Sequence, residues 1–221
     1  MIQLPDFTKA FDYENNFYLS CDTVRIARFL AHYELYKMVK DVPGEIVECG
    51  VFKGASLARF AAFRDLLSHS ASKRLIGFDI FGKFPATEFE ADQAKRKLFI
   101  DNAGENSISV EQLEEVFERK NIRNYELVKG DITKTVPDYV DKHPELKIAL
   151  LNLDVDIYEP SVSILEHLYP RIAKGGVLVL DDYGVFPGET KAVDDYFAAQ
   201  GTAVKQQVFP FSNKPVYIVK K

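Results

Sequence analysis

Two pairs of aspartates stand at the ends of apolar stretches that predict buried β-strands. Asp154 and Asp156 follow the fourth such stretch, and Asp181 and Asp182 end the fifth. Neighbouring parallel strands end at the same edge of a sheet, so we expect these carboxylates to converge there. Like charges that close raise at least one pKa unless a cation lies between them. Hard oxygen ligands of this kind favour Mg²⁺ or Ca²⁺, whereas the alternative is a set of helix caps facing solvent, a role that suits Asp156 in particular.

The loop after the first predicted strand has the composition of a ligand-binding turn. Glycines in the segment 48–56 allow a sharp bend and let a ligand approach the backbone at a helix N-terminus. Asp79 ends the second strand, where an acid commonly takes the ribose hydroxyls of a nucleoside. Gly130-Asp131 ends the third, and Asp131 is placed to meet an adenine amino group. A nucleoside-containing cofactor across the first three strand ends is predicted; a turn shaped only by packing is the alternative.

The same loop narrows the choice of cofactor. The pattern G-x-G-x-x-G is absent because Phe52 takes the place of its second glycine, and the phosphate loop ending in Gly-Lys-Ser/Thr is absent too. Glu48 precedes the first glycine, and its carboxylate suits a cation better than a pyrophosphate. S-adenosylmethionine carries a cationic amino group, a sulfonium, a ribose diol and an adenine. We therefore expect S-adenosylmethionine as the cofactor.

The elements that must position these residues alternate between strands and helices. This alternation predicts βαβ units and a doubly wound α/β fold with a mostly parallel, Rossmann-like sheet. Gly175-Gly176 is expected to end a helix, and a turn at 211–215 joins a final hairpin that adds one antiparallel strand. Strands are predicted at 45–49, 75–79, 125–129, 147–154, 177–182, 203–209 and 216–219, and helices at 22–40, 55–67, 88–100, 110–119, 135–142, 161–173 and 189–199.

Composition excludes several classes of protein. The chain has 221 residues, of which 47% are hydrophobic, and a formal net charge of −5, which argues against a nucleic-acid binder. Its two cysteines cannot build a disulfide framework or a zinc cluster, and no apolar run approaches the roughly 20 residues that span a bilayer. We expect a cytoplasmic protein with an N-terminal helical cap at 1–44 and one compact unit at 45–221.

Four segments resemble the macrocin O-methyltransferase family: 45–56, 77–85, 130–137 and 151–196. Members are class I S-adenosylmethionine-dependent enzymes that methylate sugar hydroxyls on antibiotics and related glycosides. Asp154-Val-Asp-Ile-Tyr-Glu-Pro-Ser161 resembles an acidic element of that family, and Leu178–Gly184 with Lys191–Tyr196 resembles its second block. The resemblance implies that Asp154, Asp181 and Asp182 hold Mg²⁺. The cofactor-binding set is then Glu48, Gly50, Val51, Gly54, Ser56, Asp79, Phe81, Gly130 and Asp131.

The predicted reaction is methyl transfer to a hydroxyl of a small sugar or glycoside acceptor. Vicinal hydroxyls on Mg²⁺ would be oriented and acidified, with Asp154 or Asp156 taking the proton. One alternative is a metal-independent methyltransferase with Asp154 as a simple base; another is a cofactor-binding module without catalysis. An NAD-dependent oxidoreductase is disfavoured by Phe52. No nucleic-acid or membrane partner is expected, and a homo-oligomer stays open.

Other polar residues are expected to play no part in the chemistry. The histidines at positions 32, 69, 143 and 167 show no ligand spacing and are interpreted as core or surface residues. The charged run Glu88–Lys97 is interpreted as a solvated helix face, with a lid over the cofactor as the alternative.

Overall fold

A seven-stranded sheet organises the chain, whose computed structural model describes residues 2–201 and 204–221. The strand order is β3-β2-β1-β4-β5-β7-β6, with β7 antiparallel to both of its neighbours and the first five strands parallel. The predicted doubly wound α/β class is confirmed. The strands are β1 (Glu45–Cys49), β2 (Leu75–Asp79), β3 (Tyr125–Lys129), β4 (Ile148–Leu153), β5 (Ile172–Leu180), β6 (Gln207–Phe209) and β7 (Ser212–Val219).

Eight α-helices occur in the described residues, together with 3₁₀ turns at Phe7–Lys9 and Tyr169–Arg171. Side chains on alternate positions of the strands enter two separate cores, one on each face of the sheet. The helices are α1 (Ala10–Ser20), α2 (Thr23–Val39), α3 (Ala55–Leu67), α4 (Glu90–Ala103), α5 (Val110–Arg119), α6 (Ile132–Lys142), α7 (Tyr158–His167) and α8 (Pro187–Ala199).

Local sequence signals explain most of these boundaries. The predicted capping box of α5 is confirmed, since the Ser109 hydroxyl accepts from Gln112 N–H and the Gln112 side chain accepts from Ser109 N–H. Helix α6 begins three residues earlier than predicted because Asp131 caps it by accepting from Thr133 N–H at 3.0 Å.

Two predicted turns are wrong. Gly175-Gly176 does not end a helix but lies inside β5, where a Cβ on Gly176 would fall 2.9 Å from the Ala149 carbonyl oxygen. Gly176 therefore allows the backbones of β5 and β4 to approach closely. A pair of glycines is also typical of a helix end, which is why the sequence pattern predicts the wrong structure here. The hairpin turn lies at Pro210-Phe211, and residues 212–215 belong to β7. Of the predicted strand 203–209, residue 203 lies outside the described residues.

The two N-terminal helices differ in how they contact the rest of the molecule. Helix α1 has no buried side chain, whereas α2 buries residues that include Leu35 and Tyr36. Helix α2 contacts β4, β5, β7 and α3, and so it lies over the half of the sheet that carries the second pair of aspartates. None of the helices in the described part of the chain is long and apolar enough to cross a membrane.

Helix α4 is fastened over the sheet by a buried carboxylate. Asp92 is fully buried and accepts from Gly188 N–H at 2.7 Å and from Tyr158 N–H at 3.0 Å, in the first turns of α8 and α7. In return, Glu159 of α7 accepts from the N–H groups of Glu88 and Phe89, just before α4. The charged segment is therefore tied to two other helices and covers part of the strand ends.

Gly50 is required by the backbone itself. Its φ is +94°, and a Cβ there would lie 1.7 Å from the Asp154 carbonyl oxygen. We predict that Gly50→Ala lowers the free energy of unfolding by about 3 kcal/mol or more, because left-handed strain adds to a backbone clash. Gly184→Ala is the matched control, since Gly184 has φ +78° and open space around it, and should cost about 1–2 kcal/mol. Equal losses of stability in urea unfolding would contradict the clash.

Candidate active site

A cavity of about 790 Å³ opens above the carboxyl ends of the parallel strands. The loops after β1, β2, β3, β4 and β5 all contribute to its wall, as expected for an open α/β sheet. Helix α2 and the segment before α4 supply the remaining sides. The predicted site residues that line it are Gly50, Val51, Ser56, Asp79, Gly130, Asp131, Asp154, Asp156 and Asp182.

Glu48 does not itself line the cavity but lies directly behind Ser56, which does. It is fully buried in β1, and Ser56 Oγ donates a hydrogen bond to its Oε1. Burial raises the pKa of this carboxyl well above its ordinary value, and the charges of Asp154 and Asp79 add to the shift. Asn152 of β4 stands opposite Glu48 in the sheet, and neither its amide atoms nor Glu48 Oε2 has a hydrogen-bond partner among the described residues. Buried polar atoms without partners indicate a polar ligand.

Asp79 shapes the loops on the neighbouring strand ends. Its carboxylate accepts from Phe52 N–H at 3.0 Å, from Phe81 N–H at 2.5 Å and from Ser107 Oγ at 3.0 Å. Phe52 and Phe81 have φ values of 49° and 47°, so these bonds hold two strained residues in place. Burial raises the pKa of Asp79, and its hydrogen bonds, including one from Val51 N–H, oppose that shift, so donors surround this carboxylate where it lines the cavity.

The other predicted cofactor residues occupy different positions. Gly130 and Asp131 line the cavity beyond β3, and Asp131 also caps α6. Val51 is nearly buried at the cavity wall. Gly54, with φ +81°, lies against Leu113, and the Phe81 side chain packs in the core, so these two contact the cavity only through neighbouring residues.

The aspartates that follow β4 and β5 come together as predicted. One carboxylate oxygen from each of Asp154, Asp181 and Asp182 lies within 4.8 Å of the others. Asp156 lines the cavity beside them and has φ 66°, a left-handed backbone conformation, whereas an N-cap residue typically has an extended one. The N-cap position of α7 is held by Ile157, so the interpretation of Asp156 as a cap is not supported by the structure.

Burial and mutual repulsion shift the protonation of this group. Burial raises the pKa of Asp154 to about 7, and the charge of Asp182 adds to that shift. The same two causes raise the pKa of Asp156 well above its ordinary value. Glu189, fully buried in α8, accepts from Asp182 N–H at 3.1 Å, and burial raises its pKa strongly as well. Without an ion the site therefore tends to keep protons on these carboxyls, and a cation bound among them would stabilise their charged forms and displace those protons.

Comparison with known proteins identifies the family. The model of the macrocin O-methyltransferase family matches residues 24–219. The chain belongs to the macrocin O-methyltransferase family. It is 32% identical over 162 residues to demethyldecarbamoylnovobiocin O-methyltransferase from Streptomyces niveus, a match covering 72% of this chain and 60% of that protein. A tetracenomycin 4′-O-methyltransferase from Streptomyces olivaceus is 29% identical, again over 60% of its length.

Solved structures agree with this assignment. The calicheamicin methyltransferase CalS11 superposes with a TM-score of 0.77 and 26% identity, covering 98% of this chain and 86% of that one. The curated relatives named above are longer than the matched region, which spans 60% of each. The resemblance inferred from the sequence motifs is thus confirmed for the macrocin O-methyltransferase family.

The sequence does not predict three further side chains of this macrocin-family site, namely Arg28, His32 and Arg59. Arg28 of α2 forms an ion pair with Asp181, donating from Nε to Oδ1 at 3.1 Å. His32, one turn further along α2, is buried, stacks on Phe60, and places Nδ1 3.1 Å from Arg59 Nη1. The interpretation of His32 as an ordinary core residue is therefore incomplete.

The electrostatics of His32 follow from its surroundings. Burial lowers its pKa well below the ordinary value, and the charges of Arg59 and Arg28 lower it further. The neutral ring accepts from Arg59, and its Nε2 faces Asp181 Oδ1 at 3.9 Å. A spacing signal does exist in the sequence, since Arg25, Arg28 and His32 recur at helical intervals on α2, but nothing local shows what they face.

The residues present fit the two groups that the family implies. Carboxylate oxygens from Asp154, Asp181 and Asp182 form the hard donor set that Mg²⁺ prefers. The unpartnered atoms of Glu48 and Asn152 offer buried acceptors and donors to the methionine end of a cofactor.

In metal-free protein, we predict that the free energy of unfolding falls as the pH rises from about 4 to about 7. The folded state keeps a proton on Asp154, whose pKa is about 7, whereas the unfolded chain releases it near 3.8. This stabilisation is complete below the lower value and is lost as the pH passes the higher one. Urea unfolding in chelator measures it, and Asp154→Asn should flatten the profile.

The matched control for that experiment is Asp141→Asn, since Asp141 is exposed on α6. It should leave the slope of stability against pH unchanged. Identical slopes in the wild type and in Asp154→Asn would contradict a raised pKa at Asp154.

Proposed function

We propose that this chain transfers a methyl group from S-adenosylmethionine to a hydroxyl of a small sugar-like acceptor, assisted by a divalent cation. One observation carries the proposal: a single cavity is lined at one end by Ser56, whose hydroxyl donates to the buried Glu48, and at the other by carboxylates that follow β4 and β5. The first set suits the amino acid end of the methyl donor, and the second suits a metal and the reacting hydroxyl.

Cofactor binding is assigned to the strand ends of β1, β2 and β3. Glu48 accepts from the cationic amino group of the methionine moiety, and the Ser56 hydroxyl fixes the orientation of that carboxylate. Arg59 lies one turn after Ser56 on α3, where its guanidinium suits the methionine carboxylate. Asp79, which lines the cavity at the end of β2, accepts from a ribose hydroxyl, and Asp131 beyond β3 accepts from the adenine amino group.

The acidic group performs two separate tasks in this proposal. Asp154, Asp181 and Asp182 hold Mg²⁺, which when bound orients and acidifies the acceptor hydroxyls. Asp156 lies outside that trio but lines the cavity beside it, so its carboxylate accepts the hydroxyl proton. Burial raises the pKa of Asp156, which makes its carboxylate a stronger base.

The proposed methyl transfer needs no reactant other than S-adenosylmethionine and the acceptor hydroxyl. The acceptor oxygen forms a bond to the methyl carbon as the bond from that carbon to sulfur breaks, and the electron pair stays on sulfur. The products are a methyl ether, S-adenosylhomocysteine and a proton held by Asp156. Rigid placement of both substrates in one cavity supplies much of the rate enhancement.

A metal-independent variant of this reaction is favoured by one contact. Arg28 already neutralises Asp181 through an ion pair, so the protein carries its own counter-charge for part of the acidic group. In that variant Asp154 or Asp156 acts as a simple base. Metal dependence of turnover separates the two reactions.

Relatives support a sugar-type acceptor but differ in what the sugar is attached to. One acts on demethyldecarbamoylnovobiocin and another on a rhamnosyl tetracenomycin, whereas CalS11 is described as a TDP-rhamnose 3′-O-methyltransferase.

Calorimetry tests the cofactor assignment first. S-adenosylhomocysteine titrated into chelator-treated protein should bind with micromolar affinity, about −8 kcal/mol, and NAD should not bind. Glu48→Gln should weaken this binding about tenfold, because the amino group loses its charged acceptor. The control Glu34→Gln changes an exposed carboxylate on α2 that pairs with Lys37. Binding of NAD with no signal from S-adenosylhomocysteine would overturn the proposal.

Single acidic substitutions test the metal step. We predict that Asp154→Asn and Asp181→Asn each abolish turnover while leaving affinity for S-adenosylhomocysteine nearly intact, since both lie beyond the cofactor end. Asp195→Asn, an exposed acid paired with Lys191, is the control and should retain full activity. Activity kept by both variants under strict chelation would exclude the metal-assisted route.

A further inference from the structure

His32 is a buried polar side chain that the proposed reaction does not use. It is 1% exposed, and its ring stacks on Phe60 with the ring centres 5.0 Å apart and the planes 8° from parallel. A phenylalanine would stack there as well, so the contact with Phe60 does not explain why the residue is a histidine. The two ring nitrogens are what distinguish it, and each of them faces a charged group, Arg59 on one side and Asp181 on the other.

The contact with Arg59 determines which ring nitrogen carries the hydrogen. Arg59 Nη1 lies 3.1 Å from His32 Nδ1. A guanidinium group has donors and no acceptor, so Nδ1 must accept this hydrogen bond, and it can accept only when it carries no hydrogen. The charges of Arg59 and Arg28 add to burial in lowering the pKa of the ring. The ring is therefore neutral, and its one hydrogen is on Nε2.

The Nε2 atom faces the acidic group without a partner. It lies 3.9 Å from Asp181 Oδ1, about 1 Å longer than a hydrogen bond. Among residues 2–201 and 204–221, no atom accepts a hydrogen bond from it. Buried donors without a partner are rare in folded proteins. A small movement of Asp181 toward the ring would satisfy this one.

A neutral donor suits this position better than a cation does. Arg28 already forms an ion pair with Asp181, donating from Nε to Oδ1 at 3.1 Å. A further positive charge beside Asp181 would repel a metal ion held by the same carboxylate. The N–H group of a neutral imidazole can orient the carboxylate and adds no net charge. Hydrogen bonds of this kind commonly orient the carboxylates that bind metals.

We propose that His32 is a positioning residue for Asp181: Arg59 fixes its tautomer, and its Nε2–H holds the Asp181 carboxylate in place for the metal ion. This inference rests on the proposed function, because it takes Asp181 to bind Mg²⁺. The proposed function also assigns Arg59 to the methionine carboxylate of the cofactor. His32 then lies between the residue that binds the cofactor and a residue that binds the metal.

The tautomer is tested first, by proton–nitrogen NMR of protein that contains isotope-labelled histidine. The chain has four histidines, so replacing His69, His143 and His167 by Gln leaves His32 as the one imidazole in the spectrum. Long-range proton–nitrogen couplings distinguish the two neutral tautomers and the charged ring. In chelator-treated protein at neutral pH, His32 should carry its hydrogen on Nε2. A hydrogen on Nδ1, or on both nitrogens, would overturn the inference.

The affinity for Mg²⁺ tests the contact with Asp181. Mg²⁺ is titrated calorimetrically into protein saturated with S-adenosylhomocysteine. A Gln side chain places its amide nitrogen as far from Cα as His Nε2, whereas an Asn side chain reaches only as far as Nδ1. His32→Asn and His32→Phe should therefore each weaken Mg²⁺ binding about tenfold, and His32→Gln should stay within about twofold of the wild type. His32→Phe keeps a ring against Phe60, so a role in packing alone would leave its affinity unchanged.

His143→Gln is the control, since His143 follows α6 and pairs with Glu145 outside the cavity. Its Mg²⁺ affinity should equal that of the wild type, and a cooperative urea transition shows that each variant is folded. Unchanged affinity in His32→Phe, or equal losses in His32→Asn and His32→Gln, would overturn this inference alone. Failure of the wild type to bind Mg²⁺ would instead overturn the metal-assisted function, and this inference with it.

Discussion

Repulsion among carboxylates at the ends of β4 and β5 is the constraint on which the rest of the site depends. Asp154, Asp156 and Asp181 lie close to Asp182, with Asp156 and Asp181 buried and the other two half-buried at the cavity wall. Such a group is stable only if protons, an ion or fixed cations neutralise it. The raised pKa values supply the first of these, and Arg28 supplies part of the third.

The need for fixed cations explains why α2 belongs to the site. Within the sheet, Lys214 of β7 lies in electrostatic reach of Asp182 and Glu189, whereas the ion-pair partner of Asp181 is Arg28 of α2. Arg28 and His32 reach that position only because α2 packs across β4, β5 and β7, with Leu35 and Tyr36 in the core. The predicted division into a cap at 1–44 and a unit at 45–221 therefore separates residues that act together, although the boundary itself stays a prediction.

The sequence predicts the structure correctly where neighbouring residue types along the chain determine it. Buried parallel strands are short apolar runs, so β1, β2 and β3 were predicted at their observed limits, and acids that follow such strands necessarily meet at one edge. The sequence does not predict contacts between residues that are far apart along the chain. Asp181 is 153 residues from Arg28, and the glycines of β5 need a close strand that no local pattern reveals. Likewise, the burial of Asp92 in a charged run has no local sign.

Asp92 has a mechanical consequence for the two acidic loops. One loop leads from β4 into α7 and the other from β5 into α8, and this single carboxylate bridges the first turns of both helices. Helix α4 thus sets how far apart the two loops stand, through Asp92 and through the bonds that Glu159 accepts from the segment before the helix. A sideways displacement of α4 therefore moves both loops at once. The distance between the carboxylates of the two loops then changes together with the part of the cavity that α4 covers.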